Sequence, residues 1–327
     1  MKTWMRILYV TFSKWDDDKA IVYGKTWDDS KKPRIEVTGT KYLSTIKDNF
    51  TIRIYNLPYD EVLKIQLEKK FHVCIYAGYV GDQPYNNFVG EKIFDGGLIN
   101  ITSNKGNFKD QITSFVCASR TIAQQQEYRL NISLCSGMNM YSAINYICDL
   151  SGIKRVSISD EYKYRFLKEI QSSSNSVTSY VDYLSQTNND QLVIADSSTG
   201  SELSFATSNS SKEVIVLDPR TGMVINNQPE ITSAGVTWES LPIRNYTCGS
   251  LVKIDPSYLN VSSGQDNKDS LINGAPNTYY ISSSGLYYIS QLDYTLSNSS
   301  GSFEIKITAK SKDLYDTVTG NSGVSSN

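Results

Sequence analysis

The chain has 327 residues, which is enough for two or three domains with real cores and excludes a small disulfide-stapled protein. Lys and Arg number 32 against 34 Asp and Glu, so the formal charge is −2. A near-neutral chain is a poor candidate for binding nucleic acid through its phosphates, because such binding needs a large basic surface. The single histidine excludes every mechanism that combines a histidine base with a histidine ligand.

The first third of the chain predicts mainly strands. Asn49–Asn56 alternates apolar and polar residues with the two-residue period of a half-buried strand. Gly96-Gly97 is expected to bend a second strand or to divide it into a pair. The other strands predicted here are Ile7–Phe12, Arg34–Thr38, Phe71–Tyr79, Lys92–Ser103 (which contains the two glycines) and Asp110–Ser119.

One helix interrupts these strands. Tyr59–Lys70 changes to a helical period and places Val62, Ile65 or Gln66, and Leu67 on one apolar face. Acidic residues at its start and lysines at its end complement the helix dipole.

The middle third predicts a small α/β domain. Met138–Leu150 has an apolar helical face and is followed by Gly152, where a helix is expected to end. A second amphipathic helix is predicted over Val177–Leu184. Gln191–Ala195 and Glu202–Phe205 are predicted to form a hairpin.

The last third returns to β character. Strands are predicted at Val214–Leu217, Val236–Glu239, Ser250–Ile254, Thr278–Ser282, Leu286–Leu296 and Ser302–Ser311. Ser262–Asn277 is expected to be a long loop, and the tail Asp316–Asn327 is too poor in apolar residues to fold alone. The sequence thus predicts an α+β, mainly β chain, with a β-rich domain at 1–122, an α/β insertion domain at 123–212, a second β-rich domain at 213–312 and a polar tail at 313–327.

No segment carries a recognisable catalytic, cofactor-binding or metal-binding pattern. His72 lies in phase with Cys74 on a predicted strand, and we interpret it as an ordinary strand histidine. Asp16–Asp18 lacks the spacing and glycine turn of a calcium loop. Neither a dinucleotide-binding nor a Walker motif occurs. We therefore predict no enzyme activity, although a glycosidase-like carboxylate pair stays open because sequence does not show which acids meet in space.

The cysteines and the N-terminus indicate where the chain folds. Five cysteines without a CxxC pair predict free thiols in a reducing compartment. The N-terminal apolar stretch is too short for a signal peptide, and no run approaches the ~20 apolar residues of a membrane span. We expect a protein that folds in the cytoplasm, without stable membrane association.

Several segments together resemble the hub proteins of bacteriophage tails. Asn49–Pro58, Phe71–Tyr79 and Ile93–Ile99 are similar, in order, to the strands of the first hub domain. Tyr141–Ile153 resembles a hub helix closed by glycine. The later similar segments are Val216–Ser240, Cys248–Ile254 and Gly285–Leu292. The same resemblance extends to the hub part of type VI secretion spike proteins.

This resemblance implies two tail-tube-like β-barrel domains that flank the insertion domain. Three copies would then form a pseudo-six-fold ring that joins the tail tube to the central spike and lets DNA pass. The implied partners are further copies of the chain, the tube protein, the spike, the tape measure protein and other baseplate proteins. The implied location is the virion baseplate, assembled in the host cytoplasm.

A different class of protein stays open beside the hub. A carbohydrate-binding peripheral baseplate or receptor-binding protein would gather tyrosines on one exposed face. A hub-borne cell-wall hydrolase would carry an extra domain with its own catalytic motif. The chain shows no such motif.

Overall fold

The computed structural model describes residues 6–15, 19–25, 33–43, 48–80, 88–105, 110–119, 130–157, 160–168, 171–175, 177–188, 192–197, 200–205, 214–218, 223–224, 229–232, 235–242, 246–255, 285–299 and 301–311. The predicted strand Thr278–Ser282, the loop Ser262–Asn277, the acidic run Asp16–Asp18 and the tail Asp316–Asn327 lie outside the described residues.

Strands dominate the described part of the chain. In chain order they are β1 (Arg6–Ser13), β2 (Ile21–Tyr23), β3 (Ile35–Tyr42), β4 (Asn49–Tyr55), β5 (His72–Val80), β6 (Phe88–Lys105), β7 (Gln111–Ser119), β8 (Leu130–Leu134), β9 (Lys154–Ser157), β10 (Gln171–Asn175), β11 (Leu192–Ser197), β12 (Gly200–Phe205), β13 (Ile215–Leu217), β14 (Glu230–Thr232), β15 (Gly235–Ser240), β16 (Leu251–Ile254), β17 (Leu286–Ser297) and β18 (Phe303–Ser311). The helices are α1 (Tyr59–Leu67), α2 (Met140–Ser151) and α3 (Val177–Asn188), with a 3-10 turn at Asp160–Lys163. The predicted mainly β class is confirmed.

A single sheet of 13 strands contains both ends of the described chain. Its order is β14-β15-β18-β17-β3-β4-β7-β6-β5-β1-β2, and β16 joins it at β17 with β13 alongside. The path runs from β14 to β2 and does not close on itself. The layout of two separate barrels, predicted from the resemblance, is therefore not established by these strands.

The two β-rich ends also share one hydrophobic core. Strand residues such as Phe50, Phe115 and Ile307 belong to one cluster of buried side chains. Val62 and Ile65 of α1 pack into the same cluster, as the helical period predicts. Leu67 does not, because its side chain is 78% exposed at the helix end. The assignment of Leu67 to the apolar face is thus wrong.

The middle of the chain packs around a second core. α2 and α3 contribute Ile144, Ile147, Tyr180 and Leu184 to a cluster that has no member in the large sheet. α2 begins at the N-cap Asn139, whose side chain accepts a hydrogen bond from the Ser142 N–H at 2.7 Å. It ends at Gly152, which has a left-handed backbone (φ 69°), as the sequence predicts. β11 and β12 form the predicted hairpin, with β9 parallel to β12.

Gly96 serves a different purpose from the predicted bend. β6 is a single strand of 18 residues, and its register shifts lie on either side of the glycine pair rather than at it. A Cβ atom on Gly96 would lie 2.3 Å from the Ala118 carbonyl oxygen and 2.3 Å from the Phe94 ring. Gly96 is therefore required for the close approach of β6 to β7.

Within the described ranges, no helix is long and apolar enough to cross a membrane.

Candidate functional site

A polar network surrounds the single histidine on the sheet face opposite the large core. β5 pairs with β1 on one side and with β6 on the other, which brings Ser13, His72 and Asp95 together. The His72 Nδ1 atom lies 3.0 Å from Ser13 Oγ, and Nε2 lies 2.8 Å from Asp95 Oδ1. Lys92 donates a hydrogen bond to the other carboxylate oxygen of Asp95. The Trp15 ring stacks on the imidazole with centroids 4.5 Å apart.

The charges in this network stabilise one another. Burial disfavours the imidazolium, but hydrogen bonds to Asp95 and Cys74 outweigh it and raise the pKa of His72 to about 9. Burial likewise opposes the Asp95 carboxylate, whose pKa nevertheless falls below its ordinary value because His72 and Lys92 both donate to it. At neutral pH the cluster therefore contains an imidazolium and a lysine around one carboxylate.

This charge state defines what the cluster can do. Ser13, His72 and Asp95 follow the order of a serine hydrolase relay, but a general base must be neutral and His72 is protonated at neutral pH. His72, Cys74 and Asp95 also offer three ligand atoms within 4.8 Å of one another. A metal ion would have to displace the imidazolium proton and compete with Lys92 for Asp95. The arrangement favours a structural network across three strands.

Sequence reasoning placed His72 and Cys74 on one face but missed their partners. The Cys74 Sγ atom lies 3.5 Å from His72 Nε2, in agreement with the predicted alternation. Ser13 and Asp95 come from other strands and carry no local signal. Only the strand pairing reveals the cluster.

Many residues on the face that contains His72 are polar, and they lie beside apolar ones such as Val116, Leu251 and the stacked pair Tyr9 and Tyr76. One row of directly paired residues crosses it from β15 to β1: Glu239, Lys306, Asp293, Thr40, Asn49, Ala118, Gly97, His72 and Ser13. Acidic and basic strand residues on this face are interspersed: Glu36, Asp95, Glu230, Glu239, Asp293 and Glu304 with Arg53, Lys92, Lys253, Lys306 and Lys310. We call this surface the polar face. Its charge is balanced rather than basic.

The two ends of the sheet repeat one topology. At the N-terminal end the strand order is β3-β4-β7-β6-β5-β1, and at the C-terminal end it is β14-β15-β18-β17-β16-β13. In both units a hairpin is followed by a three-stranded meander whose last strand pairs with the second strand of the hairpin. The outermost pair differs, because β1 is antiparallel to β5 whereas β13 is parallel to β16.

The repeat extends to the register of individual residues. The central meander strand has a one-residue register shift at Ile99 in the first unit and at Ser290 in the second. Immediately before each shift the same backbone bond occurs, from the Leu98 N–H to the Phe71 carbonyl (2.7 Å) and from the Ile289 N–H to the Ser250 carbonyl (3.1 Å). Ile99 therefore corresponds to Ser290.

The hairpin strands agree with this alignment. Phe50 pairs with Cys117 and Ile52 with Phe115 in the first unit. In the second unit, Val236 pairs with Ala309 and Trp238 with Ile307. The two sets occupy equivalent positions, and all their side chains are buried.

The two units join edge to edge through β17 and β3. Residues 286–288 of β17 pair with β16, whereas residues 291–297 pair with β3. The Thr40 hydroxyl donates to the Asp293 carboxylate at 2.8 Å on the polar face. On the core face the rings of Phe50 and Tyr294 lie 5.4 Å apart. Asn298 extends the junction, since its side-chain oxygen accepts the Ile35 N–H at 2.9 Å.

Solved structures of phage tail and type VI secretion proteins have this fold. The 43 kDa tail protein of prophage MuSo2 from Shewanella oneidensis matches with TM-score 0.53 and 9% identity over 94% of this chain and 99% of that one. A tail protein from Neisseria meningitidis matches with TM-score 0.54 and 9% identity over 96% and 99%. The Francisella PdpA-VgrG complex in its half-lidded form matches with TM-score 0.55 and 10% identity over 95% of this chain and 58% of that one. The chain therefore has the fold that these tail proteins and the VgrG complex share.

Sequence comparison adds nothing to this likeness. No protein-family description matches the chain, and no curated protein matches it in sequence.

Proposed function

We propose that the chain is a structural hub of a phage tail baseplate, in which three copies form a ring with pseudo-six-fold symmetry. The observation that carries the proposal is the internal repeat. Two units with one topology and one register sit side by side in a continuous sheet. Three such chains supply six similar units, which adapts a six-fold tube to a three-fold spike.

The domain arrangement is part of this proposal. Residues 1–122 and 213–312 would be the two tube-like units, and 123–212 the insertion. The separate core formed by α2 and α3 supports an insertion that packs by itself. The shared sheet and core support two outer units that act as one rigid arc rather than as independent barrels.

The polar face would line the channel through the ring. It carries threonines, serines and asparagines between balanced charges, of which the row from Glu239 to Ser13 is an example. A basic lining would retain DNA electrostatically, whereas a balanced one lets it pass. DNA would therefore pass through the channel without binding stably to it.

The proposed partners follow from the same geometry. One rim of the ring would contact the tail tube and tape measure protein, and the other would hold the spike and neighbouring baseplate proteins in the virion. The likeness to a PdpA-VgrG complex and to a type VI secretion component from E. coli with structural similarity to phage tail proteins supports a spike partner.

The glycan-binding alternative has less support. Many described tyrosines are core residues: Tyr79, Tyr162, Tyr180, Tyr246, Tyr287, Tyr288 and Tyr294. The most exposed ones, Tyr59, Tyr146 and Tyr164, lie on or beside three different helical elements. Packing accounts for the buried set, and the exposed set forms no single platform on one element.

Native mass spectrometry of the purified chain, alone and mixed with the tube and spike proteins encoded with it, tests the proposal. We expect three copies of the chain in the complex with the spike. A complex that contains one copy, or six, would contradict the ring.

A further inference from the structure

We infer that the ring closes by β-sheet addition, in which β14 of one copy pairs antiparallel with residues 102–104 of β6 in the next copy. This inference rests on the proposed trimeric ring and adds to it the edges that meet and their register. The argument uses only the internal repeat of this chain.

Two sheet edges lack a paired strand among the described residues, although β11 lies near β6. β14 pairs with β15 on one side, and no described strand pairs with its other side. β6 is longer than its neighbour β5, so residues 88–97 pair with β5 whereas residues 99–105 have no described partner on that side. Exposed backbone edges of this kind recruit another strand unless something covers them.

The repeat shows that the same two edges already meet once within the chain. β6 corresponds to β17 and β14 corresponds to β3, and residues 291–297 of β17 pair with β3 at the junction. The segment of β17 beyond β16 is thus the counterpart of the segment of β6 beyond β5. The β17 segment pairs with β3 of the same chain. We expect the β6 segment to pair with the counterpart of β3, which is β14 of another copy.

The register follows from equivalent pairs. The bulge places Thr102 at the position of Asp293, and the hairpin pairing places Thr232 at the position of Thr40. Since Asp293 pairs with Thr40, Thr102 is expected to face Thr232. Two further pairs follow in sequence: Ser103 with Ile231, and Asn104 with Glu230.

The two segments also match in which face their side chains occupy. Thr102 and Asn104 lie on the polar face, as does Glu230. In the expected register Glu230 pairs with Asn104 on that face. A register shifted by one residue would instead pair Glu230 with Ser103, which lies on the opposite face of β6.

The backbone of Ile231 is oriented for this contact. In β3, the Leu43 N–H donates to the Ser290 carbonyl of β17 at 2.8 Å, so odd-numbered residues, Gly39 among them, direct their backbone groups toward β17. Ile231 is the equivalent of Gly39. Pro229 has no N–H and precedes β14, which limits the expected pairing to three residues.

Paired cysteine substitutions test the register. Asn104→Cys with Glu230→Cys joins residues expected to face each other across a non-hydrogen-bonded pair, with Cα atoms within disulfide reach. Thr102→Cys with Glu230→Cys is the matched control, because it lies on the same face but two residues out of register. Both are made with Cys135→Ser, which removes the exposed native thiol. The full chain is oxidised in its complex with the spike and separated under denaturing, non-reducing conditions.

We expect the first pair to give cross-linked dimers and trimers and nothing larger, because a closed ring of three has no free end. The control pair should give at least tenfold less cross-linked product. A trimer seen by native mass spectrometry without preferential cross-linking of the first pair overturns this inference and leaves the proposed ring standing. Absence of any trimer overturns both.

Ile231→Pro provides a second test that needs no thiol. It removes an N–H that faces away from β15 and so leaves the β14–β15 hairpin bonds intact. We expect Ile231→Pro to lose the trimer while Ile231→Ala, which loses the side chain alone, keeps it. Equal trimer content in the two variants overturns the inference.

Discussion

At the scale of residues, the contacts around His72 stabilise the polar face. His72 contacts Ser13, Asp95 and Trp15, which come from two neighbouring strands and the segment after β1. Its raised pKa means that the cluster keeps a charge-assisted hydrogen bond at neutral pH. The network ties β1, β5 and β6 together on the side of the sheet opposite the large core, where the Tyr9 and Tyr76 rings also stack.

This network predicts a specific pH dependence of stability. The folded pKa of His72, about 9, lies above its ordinary value of 6.5, so its contribution is complete below pH 6.5 and is lost as pH rises through about 9. We expect the free energy of unfolding to fall by on the order of 1–3 kcal/mol across that window. His72→Gln should remove that fall. Urea unfolding of the wild type and of His72→Gln from pH 6 to 9.5 measures the free energy of unfolding. The same pH dependence of this free energy in both proteins would contradict the assignment to His72.

A Cβ atom added at Gly96 is expected to clash with the neighbouring strand. A methyl group there meets the Ala118 carbonyl oxygen at 2.3 Å, and backbone does not move aside as a flexible side chain would. We expect Gly96→Ala to lower the free energy of unfolding by about 1–3 kcal/mol. Asn100→Ala, on the exposed face of the same strand, should change it by less than about 0.5 kcal/mol. Equal effects in chemical denaturation would rule out the clash.

At the scale of elements, local pattern predicted most strands and helices. The alternation of Asn49–Tyr55 and the helical stripe of Val177–Asn188 are encoded within a few residues, and both elements are present. The prediction for Leu67 failed because this residue lies two positions after Ile65 and five after Val62, and at 3.6 residues per turn that spacing directs its side chain away from the buried face. The β6 bulge at Ile99 has no sequence signal, since its position depends on how β7 pairs with it.

The cap of α2 gives a prediction at this scale. Asn139→Ala removes the acceptor for the Ser142 N–H and should destabilise the core shared by α2 and α3 by about 1 kcal/mol. Asn139→Asp keeps an acceptor and should retain most of the stability. Thermal unfolding followed by circular dichroism compares them. An equal loss of stability in Asn139→Asp and Asn139→Ala would contradict the assignment of that stability to the side-chain acceptor.

At the scale of the whole molecule, pairing between distant segments determines the architecture. β3 and β17 join residues more than 250 positions apart, for example Thr40 and Asp293, and no local pattern predicts such a contact. The repeat is equally hidden from sequence, because equivalent positions hold different residues. Phe50 corresponds to Val236, and Thr113 to Ile305. Shape and register are retained where residue identity is not.

The resemblance of short motifs to hub proteins predicted the correct fold. It worked because those motifs mark strand ends and turns, where backbone geometry restricts residue choice. It did not reveal the shared sheet, which is a property of the assembled units. The candidate polar cluster around His72 was invisible for the same reason, since Ser13 and Asp95 become its neighbours only through strand pairing.

Electron cryo-microscopy of the intact tail tests the central claim most directly. We predict a collar between tube and spike made of three copies of this chain, with six equivalent β units around a channel lined by the polar face from Glu239 to Ser13. A collar with six copies, or three copies whose two β-rich units are not related by a rotation of about 60°, would contradict the account.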